Sequence, residues 1–289
     1  MNKNISVIGG DTRQLFAGKY LADKGFNVSF YGCEHGRIPD DTKYMEKLSD
    51  VQNSDIIILP LPVTKNGNLL NTPLSSQEIK IKDVIEVISD KHIVFYGMGN
   101  GNVKKFLDAK AEKAIDYYNV ESLIYKNALL TAEGILSIVL ERTQTTVSGM
   151  KIAVTGYGRI GTFISQKLKL LDADVTVFAR NDIHRTIAKA NGIKAKNIDE
   201  LAENIANFEC IINTIPFIVI NEEAIKSSRN DSIFIETASA PYGIDSEACT
   251  KHNRNLIKAF SLPGKTAPKS AGYIIGETIE NILKEMNYE

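Results

Sequence analysis

Gly156-Tyr157-Gly158-Arg159-Ile160-Gly161 has the spacing G-x-G-x-x-G, and it joins an apolar stretch, Lys151–Thr155, to a segment carrying Phe163, Ile164, Leu168 and Leu171 at helical intervals. Between a strand and a helix, each glycine has a task. The first makes a tight turn, the second leaves room for a pyrophosphate to reach the backbone, and the third lets the helix pack closely on the strand. The N–H groups opening the helix then attract the anion. All six residues are candidates for holding a dinucleotide. In that arrangement an Asp or Glu ending the next strand holds the ribose 2′-hydroxyl. Here the strand Val175–Ala179 runs into Arg180 and Asn181, with Arg185 one turn further on. A guanidinium in that place suits a 2′-phosphate, so the pattern predicts NADP in preference to NAD. Thr214-Ile215-Pro216 and Ala238, each just beyond a later apolar strand, complete the expected cofactor set.

Other residues have the chemistry to hold a small anion. Arg13 follows Gly9-Gly10 in what reads as the first turn of a helix, and Thr64 and Asn100 lie in loops that follow apolar strands. Lys265 and Lys269 flank Thr266-Ala267-Pro268 in a segment, 262–270, read as a proline-braced loop with Ser270 capping the next helix. Arg13, Thr64, Asn100, Lys265 and Lys269 are therefore the expected contacts for an anionic substrate. Glu133, on a long helix, is the carboxylate to test as a base, with Lys265 as the second catalytic candidate. The four histidines are scattered, HExxH and GxSxG are missing, and Gly264-Lys265-Thr266 lacks the first glycine of a P-loop. Cys33, Cys210 and Cys249 have no metal-ligand spacing, and no metal is expected.

Two series of elements must position these residues. Asn4–Ile8, Asn27–Tyr31, Asp55–Leu59 and His92–Tyr96 read as strands of a parallel sheet, with a helix from the first glycine turn to about Lys24. Lys151–Thr155, Val175–Ala179, Glu209–Asn213, Ser232–Glu236 and Asn255–Ala259 form a second such series. The predicted fold is α/β: two Rossmann-like parallel-sheet domains linked by a long helix, with a cleft between them. The expected domains are 1–120, completed by a C-terminal helix 270–289, a linking helix within 121–145, and a cofactor domain at 146–269. The closing helix carries Ala271, Ile275, Ile279 and Leu283 on one stripe, which needs a partner surface in the N-terminal domain.

Composition sets the remaining bounds. With 34 Lys and Arg against 35 Asp and Glu over 289 residues, no global field recruits nucleic acid or an anionic membrane. The N-terminus enters a strand without a signal-peptide core, so a cytoplasmic protein is expected.

Gly9-Gly10-Asp11-Thr12-Arg13-Gln14, Thr131-Ala132-Glu133-Gly134, the glycine fingerprint, Asn213-Thr214-Ile215-Pro216 and Leu262-Pro263-Gly264-Lys265-Thr266-Ala267-Pro268-Lys269-Ser270-Ala271-Gly272 stand in one order along nearly the whole chain. In that order and register the sequence resembles the A subunit of dipicolinate synthase. The opening GGDxRQ and the LPGxxAPKxAG segment are the more specific parts. The resemblance implies an NADP-linked oxidation of dihydrodipicolinate to pyridine-2,6-dicarboxylate in the mother cell of a sporulating bacterium. It also implies the flavoprotein-like B subunit of dipicolinate synthase as partner, and leaves self-association open. D-2-hydroxyacid dehydrogenases share the two-domain plan and the glycine turn. They place an Arg where Ser239-Ala240-Pro241 stands here, and they pair a late His with a Glu, for which only His252 is available. A regulatory protein that binds NADP without chemistry is the third reading.

Overall fold

A computed structural model describes residues 3–64 and 66–288. The chain divides into two units, residues 1–127 with 267–289, and residues 128–266. In the first, β1 (Asn4–Ile8), α1 (Thr12–Asp23), β2 (Asn27–Tyr31), β3 (Lys43–Tyr44), β4 (Ile56–Ile58), α2 (Ile81–Val87), β5 (Ile93–Tyr96), α3 (Gly101–Lys110) and β6 (Lys113–Asp116) precede α4 (Glu121–Arg142). The second continues with β7 (Lys151–Thr155), α5 (Arg159–Leu170), β8 (Asp174–Phe178), α6 (Asp182–Ala190), β9 (Lys194–Lys196), α7 (Leu201–Asn204) and β10 (Cys210–Asn213). It ends with α8 (Glu222–Ser227), β11 (Ile233–Glu236), α9 (Ser246–Lys251), β12 (Asn255–Lys258) and α10 (Leu262–Thr266), after which α11 (Pro268–Glu285) belongs to the first unit.

Each unit is a six-stranded parallel sheet, ordered β3-β2-β1-β4-β5-β6 in one and β12-β11-β10-β7-β8-β9 in the other. Both orders reverse beside the strand that opens the unit, β1 or β7. That reversal leaves a crevice at the carboxyl edge, where ligands of such sheets bind. The glycine turns follow those two strands.

The central strands are buried on both faces, and their side chains alternate between two cores, whereas the outer strands β3, β6, β9 and β12 are exposed or half-buried. In the second unit Ile152, Val154, Ile212 and Ile235 face one helical layer, whereas Ala153, Ile211 and Phe234 face the other. This is why the strands read as continuous apolar runs. Among the described residues α4 is the one helix long and apolar enough, by length and composition, to cross a membrane. Its Ala132, Ile135 and Val139 are nevertheless fully buried in the core of the second unit, and its Leu123 lies in that of the first. The unit boundary falls inside this helix, between residues 127 and 128.

α11 lies on α1. A Cβ at Gly272 would stand 2.4 Å from the Arg13 carbonyl oxygen, and one at Gly276 would stand 3.0 Å from that of Ala17, so the G-x-x-x-G spacing sets how closely the helices approach. Ile275, Ile279 and Leu283 fill the first core beneath them. Tyr20 donates to Glu280 at 2.7 Å across the same contact.

His92, fully buried before β5, supplies a pH-dependent element of stability. Its Nδ1 accepts the Ser89 N–H at 2.9 Å, which fits a neutral ring, and burial followed by the Lys91 charge pushes its pKa below 6.5. The unfolded chain then binds this proton more readily than the folded one. The stability is complete above pH 6.5 and falls as pH drops through that value. Denaturant midpoints measured from pH 8 to 5 are expected to fall less steeply in His92→Gln than in the wild type. Equal slopes would assign the acid loss to other groups.

Candidate functional site

The strongest site is the carboxyl edge of the second sheet. Gly156 turns out of β7 at φ +88°, and a Cβ there would meet Thr214 Oγ1 at 2.6 Å. Gly161 lies against the turn, where a Cβ would be 2.3 Å from the Gly156 carbonyl oxygen. Gly158 differs, since a Cβ there would meet nothing within 4 Å. It is also the N-cap of α5 and provides no side-chain acceptor for the first helical N–H groups. An uncapped helix start beside open space at a backbone glycine fits a pyrophosphate. The Tyr157 side chain turns inward and is 4% exposed, with its hydroxyl accepting from Asn191 Nδ2 at 3.3 Å, so only its backbone is available to a ligand. Ile160 is partly buried against the core, and Arg159 is exposed in the first turn of α5.

At the end of β8, Ala179 is buried and Arg180 is exposed with no ion pair among the described residues. Arg185 is placed differently from the expected phosphate contact. Its Nη1 donates to the Ala179 and Arg180 carbonyls at 2.8 and 2.6 Å, and its Nη2 pairs with Asp182 at 2.8 Å. It therefore clamps the turn that presents Arg180. Asn181 caps α6 by accepting the Ile183 N–H at 2.8 Å. Asp182 is the nearest carboxylate after β8, and Arg185 holds it.

Beyond β10 and β11 lies a buried network that the sequence reading missed. Asn213 Oδ1 accepts from Thr155 Oγ1 at 2.5 Å and from the Ile215 N–H at 3.2 Å, while Asn213 Nδ2 donates to the Ile215 carbonyl at 2.9 Å and to Glu236 at 2.7 Å. Thr214 Oγ1 donates to the Thr155 carbonyl at 2.8 Å. Glu236 also accepts from the N–H groups of Ala238, Gly243 and Ile244 at 2.8–2.9 Å. These bonds fix Thr214, Ile215 and Ala238 at the carboxyl edge, with Pro216 exposed beside them. The available signal was a carboxylate closing the otherwise apolar run Ile233-Phe234-Ile235-Glu236.

The anion candidates fare unevenly. Arg13 is 7% exposed and bonded to Asp11 through Nε at 2.9 Å and Nη2 at 2.8 Å, and Nη2 also reaches the Leu61 carbonyl at 2.6 Å. Among the described residues only its Nη1 lacks a protein partner. Gln14 joins the brace by donating to the Leu59 carbonyl at 2.9 Å. Thr64 Oγ1 accepts the Gly67 N–H at 2.9 Å, and Asn100 caps α3 by accepting the Val103 N–H at 2.9 Å. A Cβ on Gly67 would be 3.7 Å from Asn100 Nδ2, which brings these two loops together at the carboxyl edge of the first sheet.

Residues 262–270 are not a loop. Leu262–Thr266 is the helix α10, and Gly134 of α4 lets it pack, since a Cβ there would meet Leu262 Cβ at 2.8 Å. α11 opens with Pro268 in its first turn and Ala267 at the cap position, so Ser270 is inside the helix and caps nothing. Proline at the start of a helix needs no N–H partner, which moves the start ahead of the serine. Lys265 is exposed in α10, and Lys269 Nζ lies 5.6 Å from the centroid of the Tyr273 ring in α11. Glu133 is exposed on α4 and paired with Lys167 at 3.0 Å.

His252 Nε2 does meet a Glu, Glu222 Oε1, at 3.0 Å. It stands three residues before β12 begins, at the amino edge of the sheet and away from the glycine turn. Burial pushes the Cys210 thiol up to about 12 and the Cys249 thiol to about 11, far from a nucleophile's range. Among the described residues no three His, Cys, Asp or Glu side chains form a metal-binding group.

Residues 114–258 match the D-isomer specific 2-hydroxyacid dehydrogenase NAD binding domain. Together with the glycine turn, this makes the chain an NAD(P)-linked oxidoreductase by class. Residues 4–118 match the N-terminal domain of the dipicolinate synthase A subunit. The chain is 28% identical to the A subunit of dipicolinate synthase from Bacillus subtilis (strain 168) over 99% of its length and 97% of the relative's. The crystal structure of the same protein from Bacillus halodurans superposes with a TM-score of 0.88 at 25% identity, covering 97% of each chain. The crystal structure of the Bacillus subtilis protein gives 0.86 at 26% identity, covering 100% of this chain and 98% of that one. In sequence and in fold the chain resembles dipicolinate synthase A subunits along nearly its whole length.

Proposed function

We propose that this chain is the dinucleotide-binding component of a dipicolinate synthase, oxidising dihydrodipicolinate to pyridine-2,6-dicarboxylate with NADP. The observation that carries the reading is the full-length likeness to the dipicolinate synthase A subunit, joined to a glycine turn with open space at Gly158. Gly156–Gly161 would hold the pyrophosphate, Arg180 the 2′-phosphate, and Thr214–Pro216 with Ala238 the nicotinamide side. Bound there, NADP would supply a hydride acceptor, and the proton lost from the substrate ring would pass to a base or to water. The chain's own work is to position the substrate, and aromatisation of the ring supplies the driving force.

The braced guanidinium of Arg13 offers Nη1 to a substrate carboxylate, with Thr64 and Asn100 near the same sheet edge. Its attraction is tempered by Asp11, so specificity there comes from a fixed geometry more than from net charge. Lys265 and Lys269 are the further cations to test. Glu133 serves as a base only if its pair with Lys167 opens. The family's name implies a partner, and by the resemblance that partner is the flavoprotein-like B subunit in the cytoplasm of the mother cell.

A hydroxyacid dehydrogenase is the second reading, favoured by the match of residues 114–258. Ser239 stands where that chemistry needs an Arg, and His252 lies at the wrong edge, so the residues favour the first. The test is NADPH formation from enzymatically generated dihydrodipicolinate, with and without the flavoprotein-like partner. Turnover of a 2-hydroxyacid in its place, or no NADPH with both proteins present, would reject the proposal. In the same assay Lys265→Ala is expected to lower kcat/KM about tenfold, as for an exposed charge-assisted hydrogen bond of ~1.5 kcal/mol, with cofactor affinity unchanged. Full activity would make Lys265 a surface residue of α10.

A further inference from the structure

We infer that Glu236 is an electrostatic positioning residue: a buried carboxylate without a counter-cation that fixes the loop bearing Ala238 and favours the oxidised cofactor, whose nicotinamide ring is cationic, over the reduced one. The inference rests on the reading of the second unit as the NADP site.

Glu236 closes β11, is 2% exposed, and stands in register with Asn213 at the end of β10. Oε1 accepts from Asn213 Nδ2 and the Ala238 N–H, and Oε2 from the Gly243 and Ile244 N–H groups. All four partners donate and none accepts. A protonated carboxyl would need an acceptor for its own O–H, so this cradle fits the anion. No cation pairs with Glu236 among the described residues. Dipoles therefore compensate the charge without cancelling it.

A neutral side chain cannot do the same work, because the amide of a Gln would turn an NH2 group onto N–H donors at one of the two oxygen positions. The folded-back loop leaves no slack to absorb that change, since a Cβ at Gly243 would be 2.3 Å from Asn213 Nδ2 and 2.4 Å from the Ile215 carbonyl oxygen. The loops after β10 and β11 are those assigned to the nicotinamide side. Oxidised and reduced nicotinamide differ by one positive charge on the ring. A fixed negative charge in a weakly polarisable interior attracts only the oxidised form. For a ring held within ~10 Å at an effective dielectric of ~20, such a pair would be worth on the order of tenfold in affinity.

The test measures Kd for NADPH by its fluorescence and for NADP+ by displacement of NADPH, on the full chain. The wild type is expected to bind NADP+ more tightly than NADPH, and Glu236→Gln is expected to shift the ratio of the two Kd values about tenfold toward NADPH. Asn213→Ala removes one donor but keeps the charge, and is expected to weaken both forms alike. Equal weakening of both forms by Glu236→Gln would leave the residue a purely structural brace and overturn the inference. A wild-type preference for NADPH would do so too, and that comparison decides the matter if the variant does not fold. Failure of the wild type to bind either form would instead remove the cofactor reading beneath it.

Discussion

Arg180→Ala is expected to weaken NADP binding tenfold to a hundredfold and to leave NAD binding nearly unchanged. Ala179 occupies the place from which a carboxylate would grip a ribose 2′-hydroxyl, and it is buried, so it offers a 2′-phosphate neither a partner nor a repulsive charge. The exposed guanidinium of Arg180 beside it has no competing ion pair among the described residues. A charge-assisted contact of ~1.5–3 kcal/mol corresponds to that range of affinity. Arg185→Ala is informative by contrast. Because Arg185 holds the Ala179 and Arg180 carbonyls rather than pointing a free charge outward, its loss should loosen the turn and reduce NADP and NAD binding together. Isothermal titration of both cofactors against both variants separates the two. Equal affinities for NADP and NAD in the wild type would end the case for a phosphate contact at Arg180.

The fold was legible where burial forces a pattern. Lys151–Thr155, Asn4–Ile8 and Asn27–Tyr31 are apolar or half-apolar runs bounded by glycine or polar turns, and a doubly wound sheet leaves few other ways to bury them. The stripe Ala271, Ile275, Ile279 and Leu283 likewise is the buried face of α11. Local punctuation misled where tertiary contact overrides it. Leu262-Pro263-Gly264 reads as a loop, yet it folds as α10 because Gly134, far away in sequence, gives it a surface to dock on. The site was legible in its backbone part and less so in its side chains. A glycine spacing states its own geometry, whereas an arginine does not state its partner. Arg13 and Arg185 both resemble free anion receptors until Asp11 and Asp182 are seen beside them. The Asn213–Glu236 pair joins residues from two strands, and no local spacing announces it.

Substitutions in the glycine turn should have the largest effects, and two of them can separate folding from binding. Gly161→Ala puts a methyl 2.3 Å from the Gly156 carbonyl oxygen, a contact with backbone that no side-chain rotation relieves. α5 must then move off the turn. Overpacking of this kind costs ~1–3 kcal/mol, or roughly 3–10 °C in Tm for a domain of this size, and the displaced N–H groups should lower dinucleotide affinity at least a hundredfold. Gly158→Ala puts its methyl where nothing lies within 4 Å, at a backbone conformation, φ −81° and ψ −163°, open to any residue. Stability should change by less than about 1 kcal/mol, the loss expected when alanine replaces glycine at an N-cap. Affinity should still fall tenfold or more, because the methyl fills the space through which a pyrophosphate reaches the backbone. Thermal melts and cofactor titrations on both proteins test this. Undiminished binding in Gly158→Ala would mean that the pyrophosphate does not cross the turn at that point, whatever becomes of Gly161→Ala.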